Sequence, residues 1–238
     1  SITFSYSSMG EKVLEDVNIT IRKNQKVGIV GATGAGKTTL VDILLGLFIP
    51  EQGQIFVDDI KVNADNVRSW QKLIGYVPQQ IYLSDDTISG NIAFGIPDSS
   101  IDLNKVKKAA SIARLDEFIE RLPEKYDSVV GERGVRLSGG QMQRVGIARA
   151  VYDDPEVLIL DEATSALDSI TEKEFMEALE AAAAVKTLVI IAHRINTVIN
   201  CDTIIMLEEG KVEEVGNYHD LLNRSDKFRT LAAARQNN

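Results

Sequence analysis

The spacing of hydrophobic and polar positions predicts strands and then a helix in the first part of the chain. Alternation in the first six residues predicts a strand, and the runs Val13–Ile21 and Lys26–Val30 predict two more. Helical spacing follows from Lys37 to Phe48 and ends before Pro50, because proline cannot continue a helix. The opening part of the chain therefore has a mixed α and β character.

The stretch from about Ser84 to Tyr152 has the spacing of helices. Two short predicted strands, Ile55–Val57 and Ile74–Val77, precede it. Within the stretch, apolar residues recur at helical spacing across Asn104–Leu122, and Asp102 is the expected N-cap of that helix. This pattern predicts a helical insertion.

Strands return after Pro155. Val157–Leu160 and Thr187–Ala192 are continuous apolar runs, which are typical of parallel strands buried on both faces. Thr203–Leu207 and Lys211–Val215 flank a Glu-Glu-Gly turn and predict a hairpin. The whole pattern predicts an α/β core interrupted by a helical insertion.

The composition is that of a globular protein and weighs against some function classes. The 238 residues, 44% of them hydrophobic and 26% charged, suffice for one substantial core. A net charge of -9 weighs against nucleic acid as the main partner. The single cysteine, Cys201, excludes an intramolecular disulfide and a cysteine-built zinc site. No apolar run approaches the roughly 20 residues of a membrane-spanning helix, so the chain is expected to be soluble in isolation.

The segment G-A-T-G-A-G-K-T-T, from Gly31 to Thr39, contains the phosphate-binding pattern G-x4-G-K-[ST]. Its glycines let successive backbone N–H groups surround phosphate oxygens, and the helix that follows directs its positive end at them. Lys37 is expected to reach the β- and γ-phosphates, and the Thr38 hydroxyl to coordinate Mg2+. The predicted residues of this loop are Gly31, Thr33, Gly34, Ala35, Gly36, Lys37, Thr38 and Thr39.

A second acidic element lies where the apolar run Val157–Leu160 ends in Asp161 and Glu162. Asp161 is placed to hold Mg2+, and Glu162 to orient and polarise an attacking water. A GTPase or a small-molecule kinase would also contain a phosphate loop and such an acidic strand end. The sequence lacks the guanine-reading pattern N-K-x-D, since the similar segment Asn104-Lys-Val-Lys107 ends in lysine, and this weighs against a GTPase.

The segment Leu137-Ser-Gly-Gly-Gln141, together with the elements above, makes the chain resemble the nucleotide-binding domain of ABC transporters. By composition alone such a match arises about once in a few thousand chains. Ser138 and the two glycines begin a helix that runs to Tyr152, which gives a second helix N-terminus suited to an anion. An ordinary capped helix would account for Ser138, but we do not expect it to account for the paired glycines or Gln141.

The resemblance implies a role for each matching residue. It implies that Glu162, His193 and Lys37 are catalytic and that Thr38, Gln79 and Asp161 hold Mg2+. Gln80, one position further on, is an alternative to Gln79. Further implied roles are adenine stacking for Tyr6, ATP contact for Gln79 and the loop residues, contact with the partner domain for Asp168, and contact with the partner's γ-phosphate for Ser138, Gly139, Gly140 and Gln141.

The resemblance also implies a fold and partners. The fold is a P-loop NTPase core with a mostly parallel sheet, an N-terminal antiparallel β subdomain and an inserted α-helical subdomain. The helical subdomain spans about 84–150 and carries Leu137–Gln141, the signature segment. All three parts belong to one ATPase domain that spans 1–238. Expected ligands are ATP and Mg2+. Expected partners are a second nucleotide-binding domain, in a homodimer, and a transmembrane domain that is fused or separate, with no nucleic acid. The expected location is the cytoplasmic face of a membrane.

Two further segments bear on the kind of transport. Val130–Gly134 is similar to the segment that exporter-type members place against their coupling helices, which favours an exporter or flippase over an importer. Ile81–Thr87 is similar to exporters of polysaccharides or lipid-linked oligosaccharides, so a lipid or lipid-linked glycan is the expected substrate. The alternative is a soluble ABC-type ATPase that acts as an ATP-switched scaffold, and apolar spans upstream in the parent gene would distinguish the two.

Overall fold

The computed structural model describes residues 1–7, 10–163, 176–177, 179, 186–192 and 194–234. Two units account for the chain. The first unit is Ser1–Ile74 together with Thr187–Asn238, and the second is Gly75–Lys186.

The first unit is built around a mostly parallel sheet. Strand β3 (Lys26–Gly31) is parallel to both β8 (Thr187–Ile191) and β9 (Thr203–Glu208), and β10 (Lys211–Gly216) is antiparallel to β9. Every residue of β8 is buried, as its continuous apolar sequence predicts for a strand covered on both faces. The parallel core and the β9–β10 hairpin predicted from the sequence are confirmed.

Two antiparallel strand pairs also belong to the first unit. Strand β1 (Ile2–Phe4) pairs with β2 (Leu14–Val17), and β4 (Phe56–Val57) pairs with β5 (Ile60–Lys61). The predicted strand Val13–Ile21 is too long: β2 ends at Val17, next to Asp16, whose left-handed φ of 51° departs from the extended backbone of a strand. The separate antiparallel strands expected for the N-terminal part are confirmed.

The helices of the first unit are α1 (Lys37–Leu44), α2 (Val67–Gln71), α7 (Tyr218–Arg224) and α8 (Asp226–Ala234). Helix α1 is shorter than the predicted run to Phe48. It ends because Gly46 adopts a left-handed φ of 69°, a conformation that glycine supplies at helix C-termini.

The second unit contains α3 (Ile88–Ile92), α4 (Leu103–Ile112), α5 (Asp116–Glu120) and α6 (Gly139–Val151). Strands β6 (Ile74–Val77) and β7 (Val157–Asp161) are neighbours in the sheet. The helices fall in the stretch predicted to be helical, and the boundaries 84–150 of the insertion stay a prediction.

The predicted helix Asn104–Leu122 is divided in the structure. The expected cap at its start is confirmed, because Asp102 Oδ1 accepts from the backbone N–H groups of Asn104 and Lys105. The break follows from Arg114, whose φ is 53°, while the Leu115 N–H bonds the Ala110 carbonyl oxygen at 2.9 Å. That 6→1 bond is the Schellman arrangement that ends helices.

Within the described ranges, no helix has both the length and the apolar character needed to cross a bilayer.

Candidate active site

The phosphate loop joins β3 to α1 in the first unit. Gly34 and Gly36 have φ values of 82° and 95°, in the left-handed region that favours glycine. A Cβ atom at Gly36 would also lie 2.7 Å from Leu14 Cδ2 and 2.9 Å from the Val13 carbonyl oxygen. The second glycine of the motif is therefore required by both backbone conformation and space.

Lys37 is buried at the start of α1. Its Nζ donates to the carbonyl oxygens of Gly31, at 3.1 Å, and Ala32, at 3.0 Å. The ammonium group is thus held against the loop itself, where it can exchange carbonyl oxygens for phosphate oxygens. The charge and the loop backbone together form a local anion-binding arrangement.

The two threonines after Lys37 have different environments. Thr38 is exposed, whereas Thr39 is buried. Thr39 Oγ1 lies 2.9 Å from the Tyr6 hydroxyl oxygen, and these two groups share a hydrogen bond. Thr38 is therefore the hydroxyl open to a ligand, while the Thr39 hydroxyl contacts Tyr6.

The remaining loop residues differ in their exposure to solvent. Thr33 and Gly34 are exposed and Ala35 is buried. All loop residues named from the sequence, together with Tyr6, lie in the first unit.

The acidic residues lie in the second unit, at the end of β7. Asp161 and Glu162 are both buried. Asp161 Oδ2 accepts from the Tyr76 hydroxyl at 3.4 Å, and Glu162 Oε2 accepts from Gln79 Nε2 at 2.8 Å. Gln79, one of two adjacent glutamines in the sequence, is the one that contacts Glu162.

Glu162 has a left-handed backbone, with φ of 49°. This conformation costs an L-residue other than glycine about 1–2 kcal/mol. Such strained residues concentrate at functional sites, where the surrounding structure holds a side chain in a required direction.

The side chains assigned to Mg2+ have chemistry that suits this ion. The Thr38 hydroxyl, the Asp161 carboxylate and the Gln79 amide all offer hard oxygen donors, which Mg2+ prefers. Gln79 contacts Glu162 through its nitrogen, so its amide oxygen lies on the other branch of the same group. Each of these three residues therefore offers a donor of a kind that suits a magnesium ion.

The signature segment begins helix α6 in the second unit. Ser138 is the N-cap: its Oγ accepts from the Gln141 N–H, and the Gln141 side-chain oxygen accepts from the Ser138 N–H at 2.8 Å. This reciprocal pair is a capping box. Contrary to our expectation from the sequence, an ordinary cap does account for Gln141. Gly139 is exposed and Gly140 half-buried.

Two of the predicted site residues, Asp168 and His193, lie outside the described residues. Their assigned roles stay predictions.

Gln143 on α6 supports the acidic segment and is not among the site residues predicted from the sequence. Its buried side chain donates from Nε2 to the Ala163 carbonyl oxygen, next to Glu162. The available signal was a polar residue at helical spacing from Ile147 and Ala150, both of which are buried apolar residues of the same helix.

Comparison with known proteins identifies the same family as the motifs. The ABC transporter family profile matches residues 14–165. The heterocyst differentiation ATP-binding protein HepA of Nostoc sp. is 40% identical over 228 residues, which are 96% of this chain and 37% of the relative. The ATP-dependent lipid A-core flippase of Ralstonia nicotianae is 40% identical over 231 residues, which are 97% of this chain and 39% of the relative.

A solved structure agrees with these relatives. The structure of a bacterial Atm1-family ABC exporter with ATP bound matches with a TM-score of 0.89 and 38% identity, over 100% of this chain and 41% of that chain. The chain spans about two fifths of the length of the curated relatives it matches.

Proposed function

Because this chain belongs to the ABC transporter family, we propose that it is the ATP-hydrolysing domain of a membrane exporter. It binds Mg-ATP, pairs with a second nucleotide-binding domain around the nucleotide, and uses hydrolysis to drive an associated transmembrane domain. That partner is fused to the domain or separate, and the domain acts at the cytoplasmic face of the membrane.

The observation that carries the proposal is the phosphate loop. Left-handed Gly34 and Gly36 form a backbone cradle, and Lys37 supplies a buried positive charge directed at it. In the proposed reaction the loop binds the β- and γ-phosphates, and Lys37 counters the charge that develops on the transferred phosphoryl group.

Glu162 orients the attacking water and accepts its proton. The hydrogen bond from Gln79 and the buried position of the carboxylate support this role, because both fix its direction. Thr38, Asp161 and the Gln79 amide oxygen would hold Mg2+, which would supply positive charge to the phosphates.

His193 is assigned to the γ-phosphate by the family motif. Ser138, Gly139, Gly140 and Gln141 are assigned to contact the nucleotide of the partner domain in trans. Asp168 is assigned to contact the partner domain itself. The exposed N-terminus of α6 supports the assignment of the signature, because backbone N–H groups at a helix start attract anions. The proposed assembly is a homodimer.

The proposed substrate is a lipid or a lipid-linked glycan. Support comes from a relative that is named an ATP-dependent lipid A-core flippase, and from the segment Ile81–Thr87. A soluble scaffold role has no comparable support.

The test of the proposal is phosphate release from ATP by the purified chain, with and without Mg2+. We expect hydrolysis that depends on Mg2+ and is abolished by Lys37→Met. For transport, the domain together with its transmembrane partner in vesicles should move a fluorescent lipid between leaflets only with ATP. Hydrolysis without Mg2+, or a fully active Lys37→Met variant, would contradict the proposed site.

A further inference from the structure

Three aromatic rings cluster in the first unit beside the phosphate loop. The centroids of Tyr6 and Phe4 lie 5.2 Å apart with planes at 84°, and those of Tyr6 and Phe48 lie 5.6 Å apart at 88°. Phe4 and Phe48 are stacked on each other, with centroids 5.3 Å apart and planes at 29°. Tyr6 is therefore perpendicular to a pair of stacked rings.

Exposure increases across this aromatic cluster. Phe4 is 6% exposed, Phe48 36% and Tyr6 62%. A cluster that served only to fill the core would not leave its outermost ring mostly in solvent. Tyr6 presents an aromatic surface to the outside while its neighbours fix the plane of its ring.

The far end of the Tyr6 ring is fixed as well. Its hydroxyl group shares a 2.9 Å hydrogen bond with Thr39 Oγ1, and Thr39 is buried in the first turn of α1. An exposed tyrosine ordinarily rotates about two side-chain bonds. Here ring contacts and a hydrogen bond act on the same side chain, so little of that freedom remains to be lost when a ligand stacks on it.

We propose that Phe48, through its edge-to-face contact, and the Tyr6–Thr39 hydrogen bond position the Tyr6 ring in advance for stacking on the purine base of the nucleotide. The inference rests on the proposed function, which assigns Tyr6 to adenine. Phe48 is a positioning residue that acts through Tyr6. Because Thr39 follows Thr38 directly in α1, the same hydrogen bond ties the base-binding ring to the helix that begins at the phosphate loop.

The experiment compares two ligands that share the phosphate chain and differ in the base. Binding of ATP and of inorganic tripolyphosphate is measured by titration calorimetry in EDTA, which prevents hydrolysis. We expect Phe48→Leu, which keeps an apolar side chain but removes the ring, to weaken ATP binding about three- to tenfold. The affinity for tripolyphosphate should stay within about twofold of wild type.

Two further variants separate positioning from general destabilisation. Phe48→Tyr keeps the ring and should restore ATP affinity. Tyr6→Phe keeps the stacking surface but removes the hydroxyl group, and should also weaken ATP binding selectively. The matched control is Phe56→Leu, which alters an exposed phenylalanine on β4 of the same unit and should leave both affinities unchanged.

Unchanged ATP affinity in Phe48→Leu would overturn the inference, and so would an equal loss of affinity for both ligands. Thermal unfolding of each variant shows whether a loss of ATP affinity comes from misfolding. If Phe48→Leu is misfolded, Phe48→Tyr becomes the deciding variant, and its failure to bind ATP with wild-type affinity would overturn the inference. Wild-type protein that binds neither ligand would overturn the proposed function together with the inference, so the two failures are distinguishable.

Discussion

Gln79 Nε2 donates a 2.8 Å hydrogen bond to Glu162 Oε2, which joins two side chains that are 83 residues apart in the sequence. The backbone at Glu162 is also restrained. Its conformation is left-handed, and the carbonyl oxygen of the next residue, Ala163, accepts a hydrogen bond from the side chain of Gln143. A carboxylate restrained at both its oxygen and its backbone points in one direction. The contact makes Gln79 the residue that orients the proposed general base.

Removing the amide of Gln79 is expected to slow hydrolysis. Gln79→Met keeps the length of the side chain but cannot donate to Glu162, and should lower the rate by about tenfold, since one orienting hydrogen bond is worth about 1 kcal/mol or more. The loss of rate should exceed any loss of ATP affinity in EDTA, because Gln79 is also assigned to ATP contact. The control is Gln80→Met, and equal losses in the two variants would contradict the specific role of Gln79.

Glu162→Gln is expected to separate binding from hydrolysis. The substituted amide can still accept from Gln79 Nε2, but it cannot take a proton from water, so turnover should fall by about 100-fold or more. ATP binding should persist, and size-exclusion chromatography should show an ATP-dependent dimer. A variant that hydrolyses ATP at the wild-type rate and stays monomeric would refute both the general base and the dimeric site.

Lys37→Met is expected to weaken phosphate binding itself. The ammonium group donates to the loop carbonyl oxygens of Gly31 and Ala32, and its loss removes the loop's own positive charge. Titration with tripolyphosphate should show at least about a tenfold loss of affinity, as for removal of a charged hydrogen bond. Lys72→Met, at an exposed lysine of the same unit, controls for net charge.

Asn91 is expected to be critical for the stability of the second unit. Its side chain is 0% exposed, donates to the carbonyl oxygens of Ser84 and Thr87, and accepts from the Ser84 N–H at 3.0 Å. Asn91→Ala removes the partner of the Ser84 N–H, while the Ser84 and Thr87 carbonyl oxygens keep the backbone N–H groups of Asp86 and Asn91, and the free energy of unfolding should fall by about 2 kcal/mol. Urea denaturation measures the change, and Asn104→Ala, at an exposed asparagine of α4, should have little effect.

Asp154 is expected to give a small pH-dependent contribution to stability. The hydrogen bond and charge of Lys186, whose Nζ lies 2.7 Å from Asp154 Oδ1, lower the pKa of this carboxyl group, and Lys108 adds to the effect. A lowered folded-state pKa means that the stabilisation is present above the unfolded pKa of about 4 and is lost as the pH falls through the folded value.

Asp154→Asn therefore tests the sign of this effect. Asparagine accepts the left-handed φ of 53° at this position, so the backbone should be preserved. Because Asp154 is exposed, we expect a loss of less than about 1 kcal/mol at neutral pH. The gap from wild type should close at low pH, and a gap that widens on acidification would contradict the assignment.

Local sequence patterns predicted the elements whose burial is uniform. Strand β8 is a continuous apolar run, and so is β7 up to Asp161, a pattern typical of parallel strands buried on both faces. The division between α4 and α5 could not be predicted, because helical apolar spacing continues across it. The residue that breaks the helix is Arg114, which carries no left-handed preference of its own.

The site was predictable in its residue types and not in its contacts. The phosphate loop is local in sequence, so its glycines could be interpreted directly from the required backbone conformations. The Gln79–Glu162 and Tyr6–Thr39 contacts depend on how distant elements pack, which no local pattern encodes. Gln141 shows the opposite difficulty, since a residue that looked specific to function also serves as a helix cap.

In the capping box at α6, the Ser138 hydroxyl group already occupies the Gln141 N–H, so an anion that binds this helix end competes with Ser138 for that N–H. A phosphate oxygen that takes the Gln141 N–H must displace Ser138 Oγ, and that cap is worth about 1 kcal/mol. The displaced hydroxyl group still carries its own proton and can donate to the phosphate, so the exchange is nearly balanced. An exchange of this kind lets the helix end release its ligand readily, which suits the ATP-dependent pairing of two domains proposed above.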